Sequence, residues 1–533
     1  MEPLRKQVKA VVANILAPVR EPFARDIAGL PEATGTVWVE VQHGGVFELR
    51  AAPVRKRIGD DTVKMLAYNA SVPGPTLRVA QGSAVTITFT NETEVETTVH
   101  WHGLRLDNRF DGVPEGTHQG MQAPIPTGGH FTYHLHFPDA GLYWYHPHVR
   151  EDYAQEHGLY GNIIVVPNDS AYWGPVNREL TLVLDDILIE GGKIASFSQS
   201  LPNRTAMGRF GNVMLVNGET AYTLSANQGE VVRLYLTNTA NVRVFNLRIP
   251  GARMKLVGGD NGRIEHEEFV DEVLIAPSER VIVDVLFERA GQLALEHRTP
   301  DKTYTLGTVE VSEQPEAHSF AREFAILRRS AELEAERARI AADFDRPPDK
   351  TLALIGDMGH GGEPHGGHPA DDIEWEDTME WMNRMSSPKN MHWKLVDRET
   401  GAENHAIHWS FTVGDRVKIR IVNEPHADHP MQHPIHFHGQ RFLVLNRNGV
   451  RTTNLQWKDT VLCRTGETVE ILVDMSNPGA WMAHCHIAEH IESHMMLTFL
   501  VQQPHEATPA DPVPSTPDPV QHSHGYPTHI EAS

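Results

Sequence analysis

Residues His484–Met495 read H-C-H-I-A-E-H-I-E-S-H-M, with a Cys between two His, a further His five positions on and a Met ten positions on. The chain has two Cys and 32 His in 533 residues, so half of its thiols sit inside one histidine cluster. One thiolate, two imidazoles and a distant thioether form the trigonal blue-copper set with its weak axial ligand. Cys485, His490 and Met495 supply three of these groups, and His433 of H-P-I-H-F-H-G supplies the fourth. Met496 and His494 are the alternatives at the axial place, and spacing favours Met495. A structural zinc site fits less well, because it usually takes more Cys.

In an extended strand Cys485 points away from the face that carries His484 and His486. Those two imidazoles therefore hold a different metal, and a short covalent path joins the two sites. Such wiring suits a protein that takes electrons singly at one copper and passes them to a cluster of others.

On a strand His-x-His sets two imidazoles on one face, about 6–7 Å apart. The chain has six such pairs: 100/102, 134/136, 146/148, 436/438, 484/486 and 522/524. The last lies in a Pro/His-rich tail and reads as solvated, and His134 with His136 reads as an exposed strand face. The other four pairs offer eight imidazoles, enough for several soft-to-borderline metals.

What positions them is a repeated β pattern. L-R-V-A-Q-G-S-A-V-T-I-T-F-T-N (77–91), L-S-A-N-Q-G-E-V-V-R-L-Y-L-T-N (224–238) and F-T-V-G-D-R-V-K-I-R-I-V-N (411–423) share one register. A Gly precedes an Asn by nine positions, with apolar residues at the third, fifth and seventh places after the Gly. That alternation marks a half-buried strand, and its threefold recurrence points to three related β domains. A second shared element is Gly followed five residues later by His-x-His, at 141–148 and 479–486; the middle copy has Glu296 and Arg298 at those places. The expectation is a site built by the outer domains with the middle one as spacer.

The domain layout read from these patterns is an N-terminal helical arm at 1–34, β domains at 35–167, 168–315 and 351–503, a helical connector at 316–350 and the tail at 504–533. Within the connector, 319–345 reads as one helix rich in strong helix formers. Residues 356–370, rich in Gly, His and Pro, read as a loop. Cys463, in the alternating run T-V-L-C-R, reads as a buried small hydrophobe.

The net charge of −23 argues against nucleic acid or an anionic membrane as partner. Two Cys exclude a disulfide framework. No apolar run has the length of a membrane-crossing helix, and the short N-terminal run A-V-V-A-N-I-L-A-P lacks a clear signal-peptide cleavage site. The expectation is a soluble chain, cytoplasmic, or periplasmic or secreted if it is already mature.

The four motifs H-W-H-G (100–103), H-P-H (146–148), H-P-I-H-F-H-G (433–439) and H-C-H-I-A-E-H-I-E-S-H-M (484–495) closely resemble those of the multicopper oxidases. The likeness spans most of 35–503. It implies an all-β chain of three consecutive cupredoxin-like Greek-key β-barrel or sandwich domains. It also implies an enzyme holding four copper ions: one type 1 that oxidises a small-molecule reductant, and a type 2/type 3 trinuclear cluster that reduces O2 to water. Carried over by motif, type 1 takes His433, Cys485, His490 and Met495. Type 2 takes His100 and His436, and the type 3 pair takes His102, His146, His148, His438, His484 and His486. Asp111 of F-D-G-V-P-E-G matches an acidic residue that assists proton delivery in bacterial relatives, with a plain Asp-Gly turn as the alternative. Some relatives carry Glu directly after the type 1 His. Here that place is Ile491, with Glu489 and Glu492 out of register.

For the substrate the resemblance implies either laccase-type oxidation of phenols and aromatic amines, which is the first choice, or oxidation of low-valent metal ions. The third domain opens with Met358, His360, His365, His368, Met379, Met382, Met385 and Met391. Thioethers and imidazoles suit Cu(I). The three-residue spacing of Met379, Met382 and Met385 equally suits a packed helix, which is the reading taken.

Overall fold

The structure, a computed structural model, describes residues 25–115, 121–198, 201–359 and 372–504. Most of the helical arm, the loop residues 360–371 with His360, His365 and His368, and the tail with His522 and His524 lie outside the described residues.

The chain is all-β and forms three consecutive cupredoxin-like units, each a pair of packed sheets. The first unit pairs a four-stranded sheet with a five-stranded sheet that contains the strands Gly141–His146 and His100–His102. The second pairs sheets of six and five strands. The third pairs a large sheet with a five-stranded one holding His433–Phe437 and Gly479–Cys485. Three separate apolar cores fill these units.

The repeated pattern makes the same strand three times: Ala84–Asn91, Val231–Asn238 and Arg416–Asn423. Its alternate apolar residues are buried, and in each unit it pairs parallel with an earlier strand. Gly82, Gly229 and Gly414 turn into it with φ of 81°, 84° and 100°, a conformation open mainly to glycine.

The closing Asn has one task in all three units. Asn91 Nδ2 donates to the carbonyls of Val95 and Ile125, Asn238 Nδ2 to those of Arg243 and Ile275, and Asn423 Nδ2 to those of Met431 and Cys463. All three are buried. A buried amide that satisfies carbonyls of the segments beyond fixes the chain as it leaves the strand. In the outer units that chain runs straight into His100 and His433.

The connector differs from the single helix expected. It forms two short helices, Ala321–Phe324 and Ala331–Arg339. Between them Arg328 O accepts from Glu267 N and Ser330 N donates to Glu265 O, so edge pairing with the middle unit interrupts the helix. Ser330 then caps the second helix by accepting from Leu333 N. Residues 25–34 are irregular chain with isolated bridges at Glu32 and Thr34. No helix among the described residues is long and apolar enough to cross a membrane.

Candidate metal centre

Two antiparallel strand pairs carry the histidines. In the first unit His100 faces His146 across the ladder; in the third, His436 faces His484 and Ile435 faces Cys485. The two pairs meet where the outer units join. There His100, His102, His146, His148, His436, His438, His484 and His486 are at most 6% exposed.

Three groups of ligand atoms form, each within 4.8 Å: His100, His102 and His436; His102, His146 and His486; His148, His438 and His484. All three are three-imidazole sets drawn from both outer units, and the last two fall on the six residues expected to hold the type 3 pair. His100 and His436, expected at type 2, share the first group with His102. His433, Cys485 and His490 form a fourth group, with Cys485 Sγ 3.4 Å from His433 Nδ1 and 3.5 Å from His490 Nδ1. Met495 is fully buried in the same core as Cys485, and its carbonyl accepts from Cys485 N. Met496 belongs to a different apolar cluster and His494 is exposed, so of the three candidates Met495 alone shares the thiol's surroundings. Cys463 is buried as an apolar residue, its strand paired with that of His433. His134 and His136 lie on an exposed strand face.

The fit to metal is tested by what the ring nitrogens do. His100 Nδ1 donates to Asp111 O, His146 Nδ1 to Pro147 O, His436 Nδ1 to Asp459 O and His484 Nδ1 to Cys485 O, at 2.7–2.9 Å. The Nε2 atoms of His100, His146, His148, His436 and His486 are buried without a hydrogen-bond partner, and His438 Nε2 and His484 Nε2 face each other at 2.9 Å. His102 is reversed: its Nε2 meets Asp459 Oδ1 and Thr460 Oγ1, both at 3.0 Å, and its Nδ1 is the orphan. Buried polar atoms are seldom left unpaired. Anchoring one ring nitrogen while freeing the other is how proteins orient metal-binding imidazoles. The donor set fits several copper ions.

Electrostatics agree. Burial pushes His433 and His486 down to about 3, and burial with the His100 imidazole, against the pull of Asp111, pushes His438 to about 4, so these rings are neutral, the form in which an imidazole can bind a metal. Burial also raises the Cys485 thiol, against a smaller opposing effect of the Ile487 backbone hydrogen bond, and a bound cation would favour its thiolate.

Asp111 is buried with Oδ2 2.8 Å from His438 Nδ1 and Oδ1 3.3 Å from His100 Nδ1. Burial alone would raise its carboxyl; the charges and hydrogen bonds of His438 and His100 outweigh this and hold it well below the usual range. Ile491 sits in an apolar cluster with Val113, Met482 and Met496. Glu489 is buried, accepts from Asn241 Nδ2 and is pushed up to about 7 by burial.

Sequence reasoning missed four residues. Glu151 Oε1 lies 3.3 Å from His148 Nδ1, buried in the helix that follows H-P-H. Asp459, Thr460 and Arg280 brace His102 and His436. The signal available was polarity out of place: Asp459 and Thr460 open the otherwise apolar run D-T-V-L-C at 459–463.

The methionine helix departs from the packing expected of it. Glu380–Met385 is helical, but Met382 and Met385 are 38% and 63% exposed and Trp381 is 76% exposed, while Met379 packs against the third core. Asn383 fastens the helix to the 205–208 loop: its Oδ1 accepts from Met207 N and its Nδ2 donates to Gly208 O.

Three multicopper oxidase family profiles match residues 52–170, 144–306 and 376–505. The multicopper oxidase MmcO of Mycobacterium tuberculosis is 26% identical over 88% of this chain and 90% of its own. A solved multicopper oxidase from Pseudomonas thermotolerans is 27% identical with a TM-score of 0.63, covering 87% of this chain and 100% of that one. The fold is shared with a Campylobacter jejuni multicopper oxidase described as a metallo-oxidase, at 23% identity and a TM-score of 0.66, over 91% of this chain and 98% of that one.

Proposed function

The chain belongs to the multicopper oxidase family, and from that premise we propose that it couples one-electron oxidation of phenols and aromatic amines to the four-electron reduction of O2 to water. The observation that carries this reading is the adjacency of two ligand sets on one strand. Cys485 stands in the His433/His490 group, while His486 stands with His102 and His146 and His484 with His148 and His438.

Copper, the family's cofactor, would supply one-electron redox chemistry at His433, Cys485, His490 and Met495 and oxygen binding at the eight-histidine cluster. The chain's own part is to hold the ligands and to move charge. Cys485 and its peptide bonds to His484 and His486 give electrons a covalent path between sites. Asp111 accepts from His438 and faces His100, so it holds both rings and stands where a carboxylate can pass protons inward. Burial of every ligand keeps bulk water out of the cluster.

A second reading, oxidation of Cu(I), is favoured by one observation. Two thioethers and Trp381 are exposed on a helix anchored to the 205–208 loop, where Ala206 O faces His429 Nε2 and the loop packs with the Cys485 core. Thioether sulfur suits Cu(I).

Copper-loaded protein is expected to be blue and to consume O2 with a phenolic reductant without releasing peroxide. Copper binding without O2 uptake would overturn the oxidase reading. Replacing Met382 and Met385 by Leu separates the substrates: loss of Cu(I) turnover with phenol turnover intact supports the second reading, and parallel rates support the first.

A further inference from the structure

The middle unit carries none of the expected copper ligands, yet one of its side chains reaches the cluster. Arg280 is fully buried in the strand Arg280–Leu286. Its Nη1 donates to Asp459 Oδ1 at 2.7 Å, its Nη2 donates to Asp459 Oδ2, and its Nε donates to Leu142 O at 2.9 Å. One guanidinium thus ties the middle unit to the first and the third. Its own backbone is pinned too, with Arg280 N donating to Asp260 Oδ1 at 2.7 Å and Nη1 also donating to Ser278 O.

The clamped carboxylate is the one that meets His102 Nε2, and the adjoining Asp459 carbonyl accepts from His436 Nδ1. Thr460 Oγ1 lies 3.0 Å from His102 Nε2 and 3.2 Å from His436 Nδ1. His102 is the cluster ring whose orphan nitrogen is Nδ1. A second observation points to the same clamp. Gly103 has φ of 84°, and a Cβ there would collide with Asp459 and Arg280 Nη2. The last position of H-W-H-G is held to glycine by the approach of this pair.

We propose that Arg280 is a positioning residue for the trinuclear copper cluster, acting through Asp459 to hold His102 with Nδ1 inward and His436 beside it. The middle unit is then the third wall of the cluster. This rests on the multicopper reading of the eight histidines. Outer partners of metal-binding imidazoles have effects of about 10–100-fold on metal affinity when removed.

The test uses the full-length copper-loaded protein. Cluster copper is stripped by chelator titration while the blue absorption of the Cys485 copper is followed separately, with electron paramagnetic resonance of the remaining copper. Arg280→Met is expected to lower cluster copper affinity about 10–100-fold and alter its resonance signal, leaving the blue band in place. Arg280→Lys, which keeps the charge but not the two-pronged grip, falls between. Arg233→Lys, which likewise loses a two-pronged grip but on Asp284 inside the middle unit, leaves both copper sites as they were. Should Arg280→Met fail to fold, Arg280→Lys with Asp459→Asn carries the test through the same readouts. Equal loss of blue and cluster copper, or unchanged cluster affinity, overturns the proposal. A wild-type protein that binds no cluster copper fails the underlying reading instead.

Discussion

The outer units and the middle unit use one strand position for opposite purposes. Five residues after the shared glycine, the outer strands carry His146 and His484, each with an unanchored nitrogen or a facing imidazole. The middle strand carries Glu296, which accepts from Arg248 Nε at 2.8 Å and is partly exposed. Backbone, turn glycine and closing asparagine are common to all three. The difference teaches that the fold delivers a position and the side chain decides the chemistry. The middle unit, expected to be a spacer, makes its contribution from another strand, through Arg280.

Substitutions can break this contrast, the strongest first. Cys485→Ser removes the one thiolate, so the blue absorption disappears and turnover falls by on the order of 10³-fold or more, as when one member of a unit acting together is lost. Optical spectra and O2 uptake check both. Asp111→Asn keeps the shape and the blue band but removes a proton-passing carboxylate. A fall in kcat of about 10²–10⁴-fold is expected, and an unchanged kcat would return Asp111 to a plain turn.

The metal-free protein sharpens the contrast through pH. His433 and His486 fold with values near 3 and His438 near 4, against about 6.5 for a free imidazole. The unfolded chain therefore binds more protons between pH 3 and 6.5. Their stability is complete above pH 6.5 and is lost as pH falls through that window. A thermal midpoint that drops steeply from pH 7 to pH 5 is expected. His297 of the middle unit, pushed down to about 4, is a single such group, so His297→Gln flattens the profile only slightly. The smallest effect falls on Glu296→Ala. It breaks a partly exposed ion pair, costs about 0.5 kcal/mol and leaves copper content unchanged.

Much of this was legible in the sequence because it rests on local periodicity. The strand registers at 84–91, 231–238 and 416–423 and the four His-x-His pairs needed only the alternation of a pleated strand. The burial of Cys463 followed from its alternating apolar run, and Met495 was picked out by its spacing from Cys485. What could not be read depends on contacts between distant segments. Arg280 and Asp459 are 179 residues apart; Asp459 stands out locally only as a polar residue at the head of an apolar run, and nothing local marks Arg280. Glu151 lies beside His148 only because the chain turns into a helix after H-P-H. The connector failed as one helix because backbone pairing at Glu265–Glu267 outweighed helix propensity. The methionines at 382 and 385 face outward because Asn383 fixes the rotation of their helix.

The most direct measurement is anomalous X-ray scattering at the copper absorption edge from crystals of copper-loaded protein. The account expects one peak bonded to Cys485 Sγ between His433 and His490, and three more enclosed by the eight histidines of the outer units. Copper absent from Cys485, or a cluster that draws ligands from the middle unit in place of the outer ones, would contradict it.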